Sequence, residues 1–362
     1  MEEVIELTKD LVRFRTMHSN PDEIGRCAEF IQDYLEGRGI KYRRIEHNGV
    51  PSVLALPKEG YAPVLLMSHI DVVDADKDMF TPRQEGGALY GRGSLDDKYA
   101  AALSLVLLKN FFEDFRERGL GQQDLPFGVL ITGDEEVGGY NGAKYSLNRV
   151  GADFCIALDG GSLSKIVVKE KGLIKLKLIS RGMTAHGARP WLGENAIEKL
   201  IDDYRKISSF FEESAPDHWH RTLNFSIVHA GKSVNQVPDY AEAFFDIRYT
   251  ENDDMDALVG EIQSRIKGEL VVETKEPLFT GGESPYLDLL LKISGDTEVG
   301  FEHGASDARF LSDHGIRGIV WGADGDVSQH SENEHVNLDS VAGLYERLEG
   351  FMKAVYEKEM TA

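Results

Sequence analysis

The sequence predicts an α/β catalytic domain, with a mainly parallel mixed sheet between helices, interrupted by an inserted α+β domain that carries an antiparallel sheet. Three observations lead there. Apolar runs at 63–67 (PVLLM), 127–132 (FGVLIT) and 154–158 (FCIAL) read as buried strands, with a long helical pattern over 97–118 between the first two. Near Gly172 the texture changes: Ile174, Leu176 and Leu178 alternate with Lys175 and Lys177, the period of a half-exposed strand. After about Gly282 the α/β texture returns. The expected division is 1–172 with 283–362 as one discontinuous metal-binding domain, and 173–282 as an inserted lid.

The elements follow in order. Val4, Ile5, Leu7, Leu11, Val12 and Phe14 recur at helical spacing, as do Ile24, Cys27, Ala28, Ile31 and Leu35, with Gly37 and Gly39 as stop signals. In the insert, Ile197, Leu200, Ile201, Tyr204 and Ile207 form one helical stripe. Ala241, Ala243, Phe245 and Ile247 alternate with Glu242, Asp246 and Arg248, and 271–273 reads as a last strand. Beyond it, 287–293, 306–314 and 341–357 read as helices and 318–321 as a strand.

Composition narrows the function. Lys plus Arg is 40 and Asp plus Glu 62 in 362 residues, a formal net charge of −22. Nucleic acid and anionic membranes are poor partners for such a chain, because phosphate contacts need a basic face. Cys27 and Cys155 are too few for a disulfide scaffold and sit in apolar patterns, so both read as core residues. The first residues, MEEVIELTKD, do not read as a signal peptide, and the longest apolar run falls short of a membrane span. A cytoplasmic setting is the expectation.

Four clusters carry the chemistry, placed after strands or in Gly-rich loops, where ligands of open α/β sheets bind. His69 and Asp71 follow PVLLM: one ring nitrogen of His69 can ligate a metal while Asp71 fixes the other. Asp96 and Asp97 follow Gly91 and Gly93 at a helix start, where plain capping also explains acids. Glu135 and Glu136 follow FGVLIT among glycines: one can bind metal and the other take a proton from metal-bound water. Asp159, after FCIAL, repeats the arrangement with one acid. The last cluster, 329–335 (QHSENEH), offers His330 and His335, and the residues alone do not choose between them. Each cluster has a bland explanation as solvated loop residues. Jointly they deliver imidazoles and carboxylates to one sheet edge, a donor set that suits zinc, cobalt or manganese.

The set SHIDVV, GRGSLDDK, TGDEEVGG, ALDGG, TAHGARP, NQVPDYAEAFFDIR, GASDAR and HSENEHV resembles the M20 family of co-catalytic metallopeptidases and deacylases. That family includes glutamate carboxypeptidase-like enzymes, dipeptidases, acetylornithine deacetylase and succinyl-diaminopimelate desuccinylase. The resemblance implies two divalent ions per subunit, zinc first and cobalt or manganese as alternatives. Their ligands would be His69, Asp96 (bridging), Glu136, Asp159 and His330. It implies Glu135 as general base, Asp71 as the residue that orients His69, and His186 as a stabiliser of the oxyanion. Asn235, Arg248 and Gly304 match positions that contact substrate, and an arginine fork suits a carboxylate. The lid commonly mediates a homodimer.

The chain departs from the family pattern at Asp74, Asp97, Tyr99 and Ala305. Asp at 159 goes with the peptidase branch, which favours small peptides as substrates, and an exopeptidase recognising a substrate carboxylate is the leading expectation. An N-acyl-amino-acid deacylase is the alternative. A catalytically silent binding protein is the third, opposed by the full set of ligands and base.

Overall fold

A computed structural model describes residues 1–359, and these fall into two compact units. The first comprises Met1–Lys169, Thr280–Glu302 and the described residues from Ser306 onward; the second comprises Glu170–Phe279 with His303–Ala305.

The first unit is built on a mixed sheet whose four central strands run parallel. In spatial order they are Phe127–Thr132, Tyr61–His69, Gly151–Ala157 and Arg317–Val320. Val50–Ala55 and Arg43–His47 extend one side antiparallel, and Val320 meets Val167 antiparallel on the other. Tyr61–His69 and Phe127–Thr132 are buried over nearly their whole length and Gly151–Ala157 over its second half, which is why they read as continuous apolar runs rather than alternating ones. The helix Lys98–Glu117 is the main packing partner. Residues 98–108 are all buried, and Leu103, Val106 and Phe111 share a core with Val64, Leu66, Phe127 and Ile156. Helices Glu2–Val12, Pro21–Glu36 and Leu338–Glu359 add to it. Both cysteines are free and buried, and burial pushes the Cys27 thiol up to about 12.

The second unit is a four-stranded antiparallel sheet in the order Thr222–Ala230, Tyr240–Tyr249, Gly172–Arg181, Glu269–Glu276. One face, with Ile174, Leu176, Leu178, Ala243 and Phe245, shares a core with helices Ala196–Ser208 and Met255–Arg265. Asn195 and Asp254 cap those helices through their side chains.

One expectation is corrected. Residues 306–314 do not form a helix; they make two short 3-10 turns, Asp307–Phe310 and Ser312–His314. The chain leaves the second turn through Gly315 in the left-handed conformation, and Phe310 and Leu311 are buried without a continuous helical face. No described helix is long and apolar enough to cross a membrane.

Candidate active site

Three parallel strands end side by side at the candidate site. His69 is the last residue of its strand and lies in register with Thr132; Met67 lies opposite Ala157, two residues before Asp159. The Glu135–Val137 turn follows Thr132 after Gly133 and Asp134. It closes through Gly138 and Gly139, both at positive φ, and a Cβ on Gly139 would sit 1.9 Å from Asp307 Oδ1. Asp96 arrives on a loop that turns at Gly93, where a Cβ would come within 2.8 Å of Val72 and 2.9 Å of Lys98.

Two groups of potential metal ligands form there, His69 with Asp96 and Asp159, and Asp96 with Glu136 and His330; in each, the ligand atoms lie within 4.8 Å of one another. Asp96 belongs to both. Its Oδ1 is 2.9 Å from His69 Nε2 and its Oδ2 3.1 Å from His330 Nε2. Asp159 Oδ2 lies 3.8 Å from His69 Nε2, and Glu136 Oε2 3.1 Å from His330 Nε2.

His69 presents Nε2 because Nδ1 is committed: it donates to the Asp71 carbonyl at 3.0 Å and faces Asp71 Oδ1 at 3.4 Å. Asp71 is fully buried and also accepts the backbone N–H groups of Glu135 (3.1 Å) and Glu136 (3.0 Å). Burial opposes its charge, but hydrogen bonds from His18 and His69 outweigh that and hold the carboxyl at about 2. His69 is also buried, yet Asp159, Asp71 and Asp96 hold its imidazole well above the ordinary value. Hydrogen bonds to Asp96 and Glu136 raise His330 to about 10. Carboxylates this concentrated drive protons onto both imidazoles, and a pair of divalent cations answers the same excess of negative charge. The donors, two imidazoles and three carboxylates without a thiolate, fit such a pair. Burial, reinforced by Asp159 and Asp307, keeps the Glu135 carboxyl well above its ordinary range.

His335 stands apart from both groups. It donates Nδ1 to the Asn333 carbonyl at 2.9 Å, faces Asp326 at 3.3 Å and packs against Tyr90. Asp97 occupies the cap position of the following helix but makes no side-chain cap bond there, so capping does not account for the acidic pair.

Several supporting residues carry little sequence signal. Buried Glu334 accepts the N–H groups of Gly93 (2.9 Å), Leu95 (3.1 Å) and Asp96 (3.2 Å) through Oε1 and pairs with Arg92 through Oε2. Asp134 ties down Asn141 and Gly142, each at 2.8 Å. Tyr99 donates to the Leu158 carbonyl (3.0 Å) and accepts from Ala323 (2.8 Å), buttressing the strand end that carries Asp159. Arg309 donates to the Gly138 carbonyl at 2.9 Å and lies 3.9 Å from Glu135. A carboxylate a few residues from a Gly-rich turn whose amides it accepts is the signal that could have found Asp134; Glu334, 241 residues from Gly93, offers none.

The remaining candidates belong to the second unit. His186 Nδ1 accepts from Ala188 at 3.0 Å, and its neighbour Gly187 donates to the Asn235 carbonyl at 2.7 Å, so His186 and Asn235 share one pair of loops. Arg248 is engaged within its own strand, with Nε 2.8 Å from Asp246 Oδ1 and Nη2 3.4 Å from Oδ2. Gly304 is open: among the described residues nothing lies within 4 Å of a Cβ placed there.

Comparison with known proteins agrees with this architecture. A probable carboxypeptidase of Aspergillus clavatus is 26% identical over 371 residues, covering 92% of this chain and 84% of that protein. A succinyl-diaminopimelate desuccinylase of Nautilia profundicola is 28% identical, covering 94% and 96%. The crystal structure of an M20 family metallo-carboxypeptidase from Sulfolobus solfataricus superposes with a TM-score of 0.77 at 19% identity, covering 98% of this chain and 100% of the other. The profile of peptidase family M20/M25/M40 matches residues 65–354, which span the candidate ligands from His69 to His330, and the chain belongs to that family.

Proposed function

We propose that this protein is a two-metal hydrolase that cleaves an amide bond in small peptides, an exopeptidase that recognises a substrate carboxylate. The observation that carries the reading is Asp96, which turns one oxygen toward His69 and the other toward His330 and so joins two ligand groups into one centre. His69, Asp96 and Asp159 would hold one ion and Asp96, Glu136 and His330 the other, with zinc first and cobalt or manganese as alternatives.

When bound, two such ions polarise the scissile carbonyl and acidify a water near neutral pH. Glu135 accepts the proton at its carboxylate and returns it to the leaving amine. Asp71 keeps the His69 tautomer fixed throughout. His186 stabilises the oxyanion, in its own subunit or across the proposed dimer, while Asn235, Arg248 and Gly304 contact the substrate. Arg248 would exchange its bond to Asp246 for one to the substrate carboxylate, or hold both on different edges of the guanidinium. A lid role for residues 173–282, a homodimer formed through it and a cytoplasmic setting belong to the same proposal. Light scattering tests the dimer.

The similarity to a desuccinylase favours a second reading, an N-acyl-amino-acid deacylase with the same centre and a different acyl pocket. One screen separates the two. Metal-loaded protein is offered dipeptides, tripeptides and N-acyl amino acids, with a chelator control. Chelator-sensitive release of a C-terminal amino acid is expected; turnover confined to acyl amino acids would move the assignment to the second reading, and none on either class would sink both.

A further inference from the structure

The loop after the first helix is fastened along the strand-end loop that carries Asp71. Thr16 donates its hydroxyl to the Ile70 carbonyl at 2.5 Å, Val72 donates to the Thr16 carbonyl at 3.0 Å, and Ser19 donates to Asp74 at 2.7 Å. Lys98 fixes the start of that loop through the Phe14 carbonyl at 2.8 Å. Held this way, His18 puts Nε2 at 3.0 Å from Asp71 Oδ2.

Three hydrogen-bond donors and the facing His69 ring surround the fully buried Asp71 carboxylate. Oδ1 takes the Glu135 N–H and faces His69; Oδ2 takes the Glu136 N–H and His18. His69 lies in one ligand group, Glu136 in the other, and Glu135 is the proposed base, so the plane of this one carboxylate sets all three. Without His18, Oδ2 retains a single backbone donor and the plane is held chiefly from one side.

We infer that His18 is a positioning residue of the metal centre, fixing the Asp71 carboxylate on which the His69 ring and the Glu135–Glu136 turn both rest. The inference rests on the reading of His69 and Glu136 as metal ligands. Loss of a partner behind a metal-bound histidine lowers metal affinity about 10- to 100-fold. His18 should fall in that range although its own ring touches neither ligand group.

The test uses the full chain as wild type, His18→Ala and His18→Gln, the last keeping an N–H donor. Zinc affinity is measured by competition with a chromogenic chelator, and the visible spectrum of the cobalt-loaded protein is recorded. His18→Ala should bind zinc about 10- to 100-fold more weakly with an altered cobalt spectrum. His18→Gln should recover most of both, and metal-free melting temperatures should stay close. An unchanged His18→Ala overturns the inference. So does a His18→Gln as weak as the alanine variant, or a lowered metal-free melting temperature with unchanged affinity. A wild-type chain that takes up no zinc would instead remove the dinuclear reading on which the inference stands.

Discussion

His69 and His330 face the same carboxylate, Asp96, but they are built in opposite ways. His69 ends a buried strand, is 1% exposed, and has its second nitrogen fixed by Asp71. His330 lies in a loop at φ 62°, with its side chain 51% exposed. A ligand on a strand is placed by the sheet before any ion arrives, whereas a loop ligand must be ordered as the ion binds. The His69 half should therefore hold its ion more tightly, and the His330 half should exchange faster.

The predictions probe that contrast, from the largest effect down. Glu135→Gln removes the proton acceptor without touching either half: turnover should fall about 10²- to 10⁴-fold while metal analysis still finds two ions per chain. Substantial retained turnover would remove Glu135 from the base role. Glu334→Gln attacks what the halves share, because Glu334 anchors Asp96 and pairs with buried Arg92. Uncompensating that cation should lower stability by about 3–5 kcal/mol in urea melts and weaken both metals together. Loss of one metal alone would separate Glu334 from the shared carboxylate.

The histidines are next. His69→Ala should cost the metal-free protein about 1–3 kcal/mol, because buried acceptors lose their partner. His330→Ala should cost about 1 kcal/mol or less, because solvent screens its bonds to Asp96 and Glu136, yet still lose one ion on dialysis. Equal costs would erase the contrast. The second unit should leave the metal centre untouched: Arg248→Ala should raise KM about 10-fold, the low end for a charge-assisted hydrogen bond, with metal content unchanged. An unaltered KM would end its role in carboxylate recognition.

Much of this was legible in the sequence for a definite reason. FGVLIT and FCIAL are buried on both faces, so their composition marks them as strands without help from periodicity, and their ends mark where ligands gather. The long central helix was equally plain. Residues 306–314 misled because local apolar spacing does not distinguish one helix from two short turns. The strand Thr222–Ala230 was missed because it is largely exposed and leaves little apolar alternation to read.

By itself the sequence determined the donor chemistry: imidazoles and carboxylates without thiolates, placed after buried strands, with glycines where the loops must turn. It left His330 and His335 equivalent as residues, and only the family resemblance preferred one. Tertiary structure decides what each side chain faces. It brings His330 to Asp96 and gives His335 to Asp326 and Asn333. It sets His18 behind Asp71 across 53 residues of chain and Glu334 behind Gly93 across 241. Such partners are chosen by proximity in space, and a hydrogen bond of 3 Å leaves no periodicity along the chain by which to find it.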